Sequence, residues 1–147
     1  IKTATPLAAL HVTGDTFFGG NVREKVTISA TAATGTVNFD AITQSVLYYT
    51  TNASGNWTLN VRGDGSTTLN SIMATGDSLT IAFLVTQGST AYYQATFKVD
   101  GSAVTPKYAG GSAPSAGNIN GIDGYAMTII KTGDAAFTAL GALTEFG

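Results

Sequence analysis

The strongest constraint on this chain is its punctuation. Short apolar runs of strand length are separated by turn signals at nearly even intervals. The signals are Thr34-Gly35, Asn52 to Asn56, Gly63-Asp64-Gly65, Thr75-Gly76-Asp77, Gln87-Gly88, Asp100-Gly101 and Thr132-Gly133-Asp134. Turn signals recurring every roughly 8–12 residues mark a sandwich or a barrel, because a helix would need longer uninterrupted stretches. Between them the residues alternate. Lys25-Val26-Thr27-Ile28-Ser29, Thr36-Val37-Asn38-Phe39, Trp57 to Arg62 and, more loosely, Tyr93 to Val99 each read as a half-buried strand. Ser45 to Tyr49 and Leu79 to Val85 are more continuously apolar, which predicts central strands. Tyr125 to Ile130 is a further strand, and Ala136 to Phe146 supplies one or two more. Thr67 to Ala74 allows one helical turn, through Leu69, Ile72 and Met73. No clear internal repeat is visible.

Composition agrees with this all-β reading. The chain has 18 Gly and 24 Thr among 147 residues, turn formers alternating with a β-branched residue suited to a pleated surface. Apolar residues make up 44% and charged residues 11%, so charge-driven disorder is excluded. Seven basic and nine acidic residues are thinly spread, so no basic patch offers phosphate contacts and nucleic acid is not an expected partner. No apolar run approaches the ~18 residues that span a bilayer, so membrane insertion is not expected. No signal peptide is visible, and the chain begins at Ile1, as a processed product or part of a longer protein would. The absence of Cys removes disulfides, thiolate nucleophiles and zinc-thiolate sites together.

Two regions break the pattern. Ile1 to Val22 has a sparse apolar pattern, with Leu10, Val12, Phe17 and Phe18 set around Gly14 and Gly19-Gly20. It reads as an extended, fibre-like lead to a β-sandwich or jelly-roll-like knob from Arg23 to Gly147. Such a lead cannot bury those four side chains alone, whereas three copies wound together can, so they are the candidate contacts of a homotrimer. Thr105 to Gly124 is a long Gly/Pro/Ser/Asn loop, and loops of that length tend to be functional. It brings Lys107, Tyr108, Asn118 and Asn120 together as candidates for contact with a glycan or protein partner. A Tyr ring offers a flat face plus a hydroxyl, and Asn both donates and accepts.

Other signals carry less. His11 is the only His, so catalysis is not expected and no metal or other cofactor is either; a metal on His11 would need three copies meeting on an axis. Asp64, Asp77, Asp100 and Asp134 sit beside glycines, where Asp favours turns, rather than forming the carboxylate pair of a glycoside hydrolase. A polysaccharide-degrading enzyme is a remote alternative. Arg62-Gly63-Asp64 matches a cell-adhesion tripeptide but is also an ordinary hairpin turn. Asn52-Ala53-Ser54 and Asn56-Trp57-Thr58 are glycosylation sequons in a Thr/Asn-rich stretch where chance matches are frequent. Trp57 faces the core by alternation. Of the pairs Tyr48-Tyr49 and Tyr92-Tyr93, one ring of each points outward.

The stretch Asn21 to Asp100, NVREKVTISATAATGTVNFDAITQSVLYYTTNASGNWTLNVRGDGSTTLNSIMATGDSLTIAFLVTQGSTAYYQATFKVD, resembles a domain of marine cyanophage virion structural proteins of tail-fibre-like type. Thr128 to Phe146, TIIKTGDAAFTALGALTEF, is similar to that domain's C-terminus, and Leu10 to Val22, LHVTGDTFFGGNV, to the repeats preceding it. The resemblance implies a virion component on the particle surface, assembled in the host cytoplasm, with other virion proteins and host-surface carbohydrate as partners and no catalytic residues. It leaves open a capsid decoration, a neck fibre or an assembly module without receptor binding. Where the family commonly has Trp after the Pro-Lys pair of the long loop, this chain has Tyr108, which weakens the ring as a dedicated ligand platform. The long N-terminal part that attaches a fibre to its particle is not in this sequence.

Overall fold

The computed structural model describes Leu10, Val12 and residues 14–147. His11 lies outside the described residues, as does the lead before Leu10. The described chain is 49% strand and 5% helix, arranged in two sheets. The strands are β1 (Val26–Ala32), β2 (Gly35–Asp40), β3 (Val46–Thr51), β4 (Trp57–Arg62), β5 (Ser78–Thr86), β6 (Gln94–Val99), β7 (Ser102–Ala103), β8 (Lys107–Tyr108), β9 (Ile122–Gly133) and β10 (Ala136–Phe146). One short helix, α1 (Leu69–Ile72), precedes β5. The larger sheet has the order β1-β3-β5-β9-β10-β8 and the smaller β2-β4-β6-β7.

The first six strands alternate between the sheets, β1 in the larger, β2 in the smaller, and so on to β6. Crossing to the other sheet and back restores the strand direction. The neighbours β1–β3, β3–β5, β2–β4 and β4–β6 are therefore all parallel. The opposite sheet thus serves as the crossover that parallel strands require. This coil is not the antiparallel Greek-key path of a jelly roll. Its turns differ in length, since β3 starts 20 residues after β1 (46 − 26) and β5 starts 32 after β3 (78 − 46). That inequality is why no repeat shows in the sequence. The long β9–β10 hairpin then closes the larger sheet by antiparallel pairing on β5.

The inward faces form one core. Leu47, Ile81, Phe83, Val85, Tyr125, Met127 and Ile129 from the larger sheet meet Val37, Phe39, Trp57, Leu59, Val61, Phe97 and Val99 from the smaller. Trp57 stands edge-on to Phe83 and Tyr125, with ring centroids 6.0 and 5.6 Å away, and so bridges the sheets. Tyr49 packs edge-on to Phe83, and Tyr48 in the next position turns outward. Helix α1 falls where Thr67 to Ala74 allowed one. Thr68 caps it, its hydroxyl accepting from Ser71 N at 3.1 Å, and Leu69 and Met73 are buried beneath it while Ile72 is exposed.

The two outer faces differ sharply. On the smaller sheet the register places Thr36, Thr58 and Thr96 in one row, Asn38, Asn60 and Lys98 in the next, and Asp40 beside Arg62. Asn60 donates to Asn38 at 2.9 Å and Arg62 Nε to Asp40 at 2.6 Å, an ordinary polar outer surface. On the larger sheet one row reads Val26, Val46, Ala82, Ala126, Ala142, and the next Ile28, Tyr48, Leu84, Gly124, Thr144. Thr80, Thr128 and Leu140 form a third row, to which only the edge residue Lys107 brings a charge.

Candidate functional site

The four loop candidates do not converge. Lys107 and Tyr108 form β8, which pairs with Leu140 and Gly141 midway along β10. Asn118 and Asn120 lie beside the start of β9, which pairs with the far end of β10 at Phe146. Five strand positions separate Gly141 from Phe146, roughly 17 Å at the rise of a strand. Lys107 and Asn120 are exposed, whereas Tyr108 and Asn118 are half-buried.

Tyr108 faces the interior. Its ring lies over Gly141, where an added Cβ would come within 2.7 Å of Tyr108 Cε1, so only glycine admits the ring. Its hydroxyl accepts a hydrogen bond from Gln94 Nε2 at 2.8 Å. Burial pushes the phenol above its ordinary value, partly offset by that bond.

The far end of the loop is held by a buried polar latch. Gln87 Nε2 donates to Tyr92 O at 2.6 Å and to Asp123 Oδ2 at 2.8 Å, while Gln87 Oε1 accepts from Tyr92 N at 3.0 Å. Asn118 N donates to the Asp123 carboxylate at 3.2 and 3.3 Å. Asp123 is fully buried, and desolvation raises its pKa against the opposing effect of the Gln87 and Asn118 hydrogen bonds. Asn120 takes a left-handed conformation, φ 58°, and donates from N to Gly88 O at 3.0 Å. The loop is therefore tied down at both ends.

Beneath it lies a cleft of about 220 Å3, lined by the start of β6, by Ala103 to Pro106 and by Ala113 and Pro114. Gln94 and Tyr108 both line it. The sequence did not single out Gln94. Alternation with Phe97 and Val99 points it outward, but a register shift between Trp57 and Thr58 in the β4–β6 pairing breaks the parity and buries it. Asp123 was missed as well, because between Ile122 and Gly124 it reads as the end of the long loop rather than as part of β9.

The trimer candidates lie outside both sheets. Leu10, Val12, Phe17 and Phe18 precede the first strand, with 58%, 36%, 92% and 62% of their surface exposed. Arg62-Gly63-Asp64 is committed locally: Arg62 pairs with Asp40, and Asp64 Oδ1 accepts from Ser66 N at 2.8 Å and Thr67 N at 2.7 Å. The sequon residues Asn52 and Asn56 are exposed, and Asn56 Oδ1 accepts from Tyr93 N at 3.1 Å. Among the described residues no three His, Asp or Glu side chains are grouped to hold a metal, and no helix is long and apolar enough to cross a membrane. The fold and its surfaces define an all-β, two-sheet domain. Comparison with protein-family models, curated proteins and solved structures finds no match.

Proposed function

We propose that this chain is a structural domain of a virion-surface appendage, a tail-fibre-like end piece that associates with further copies of itself, as a homotrimer, and with other virion proteins. The observation that carries this reading is the outer face of the larger sheet. Strands with continuous apolar runs belong where both faces are covered. β3, β5 and β9 have such runs, yet only one of their faces meets the core. The other face leaves Val26, Ile28, Leu140 and Phe146 each at least 45% exposed, on a surface almost free of charge. Five strands ~4.8 Å apart and about seven residues long present roughly 550 Å2. A standard interface takes about 800 Å2 from each partner, so this face alone supplies roughly two thirds of that area.

A second copy suits it because a charged partner would lose solvation there without gaining a counter-charge. The polar smaller sheet would remain in water. The resemblance to cyanophage fibre domains supplies the biological setting. Gold-labelled antibody against the chain, applied to purified particles, tests that setting: label at fibre tips supports it. Label on the capsid shell or the neck favours the decoration or neck-fibre alternatives, and no label on particles overturns the virion assignment.

A further inference from the structure

We infer that the open edge of β1 takes an added strand, the segment Leu10 to Thr13 of a neighbouring copy. β1 ends one side of the larger sheet and, among the described residues, pairs with β3 alone. Native edge strands are kept from pairing by shortness, proline, charge or a bulge. The opposite edge of this sheet has three of those devices: β8 is two residues long, follows Pro106 and begins with Lys107. β7, at one edge of the smaller sheet, is two residues long as well. β1 has seven residues and neither a proline nor a charge. Only its end is protected. A register shift falls between Ser29 and Ala32, and there the Thr50 and Thr51 hydroxyls donate to Ser29 O and Ala30 O at 3.2 and 2.7 Å, while Ser29 Oγ accepts from Thr31 N at 3.3 Å. Val26 to Ile28 therefore remain as a flat edge whose open side presents backbone donors and acceptors to a further strand.

The side-chain pattern selects the occupant. β1 alternates Val26-Thr27-Ile28-Ser29, with Val26 and Ile28 exposed on the outer face. Leu10-His11-Val12-Thr13 repeats that apolar–polar order. Laid beside β1 as a strand, this segment puts Leu10 and Val12 on one face, where they extend the apolar rows that end at Val26 and Ile28. β2, the other long edge, carries Thr36, Asn38 and Asp40 on its outer face and offers an apolar strand no such match. The chain's own lead leaves the edge open: none of its described residues from Leu10 to Lys25 is in a strand, and none belongs to the core. A donor segment and an acceptor edge on every copy make a head-to-tail contact, which closes into a ring where the rotation allows. The inference rests on the homotrimer reading and names the strands that join its copies.

The test is cross-linking of the full chain, which has no native Cys to compete. Val12→Cys is combined with Val26→Cys or with Ile28→Cys, two variants that differ by one register step. Mild oxidation of one of these should yield covalent dimers and trimers on a denaturing gel, whereas Val12→Cys combined with Thr36→Cys on β2 should not. Hydrogen exchange repeats the test on the unaltered chain. The amides of Val26 to Ile28 should exchange at least ~tenfold more slowly when assembled than when diluted to single chains. A disulfide that closes only within one chain overturns the inference, since the chain's own lead then covers β1. Cross-linking to Thr36→Cys as efficient as to β1 also overturns it. A trimer in sedimentation with neither β1 cross-link nor β1 protection overturns the strand addition and leaves the homotrimer reading standing. A single-chain species at every concentration overturns both.

Discussion

Gly117 packs so closely on Asp123 that a Cβ at Gly117 would stand 2.6 Å from Asp123 Oδ2, and it would also meet Tyr92 O and Gln87 Nε2. The long loop can return to the sheet only because this position has no side chain. Gly117→Ala should therefore force the latch apart and cost about 1–3 kcal/mol, the range for overpacking. Chemical denaturation of the variant measures it; a change under ~0.5 kcal/mol, the scale of a surface substitution, would show that the latch does not hold the loop.

Asp123 also makes stability depend on pH. Its pKa is raised in the folded chain, so folding favours the protonated form. The stabilisation is present below the unfolded carboxylate value and is lost as pH rises through the folded one. Asp123→Asn should remove this component. The wild type minus variant difference in melting temperature should decline as pH rises from about 4 toward neutrality. A difference that grows with pH would reverse the assignment.

The strands and the central core were legible because they depend on alternation that a single run of residues displays. Trp57, Phe39, Leu59 and Val61 all lie inward as their parity requires. The parallel coil was not legible, since crossing between sheets leaves no local mark and its turns differ in length. The inward turn of Gln94 depends on a bulge set by its neighbour strand, and the inward turn of Tyr108 on the absence of a side chain at Gly141, 33 residues away (141 − 108). The loop's length and composition marked it as distinctive, but not that its ends would be pinned.

Lys131 is another side chain committed to structure. Its Nζ donates to Asn70 O at 2.6 Å and Met73 O at 2.8 Å, satisfying carbonyls of α1 and the residue after it. Lys131→Met keeps most of the apolar stem but strands both carbonyls, and should cost about 1–3 kcal/mol in urea unfolding. A neutral result would mean that water replaces the ammonium there.

Charge placed on the outer face of the larger sheet should separate copies without unfolding them. Ile28 and Leu140 are 69% and 45% exposed, so Ile28→Lys and Leu140→Glu leave the core intact. An unpaired charge buried at an interface costs about 3–5 kcal/mol, enough to dissociate a modest assembly. Light scattering should report smaller species while near-ultraviolet dichroism from Trp57 and its neighbours stays unchanged.

Sedimentation equilibrium of the full chain over a wide concentration range tests the central claim most directly. Self-association through the nearly uncharged sheet face and the apolar lead predicts a species of three times the chain mass that Ile28→Lys shifts toward one. A single species of one chain mass at every concentration would contradict it.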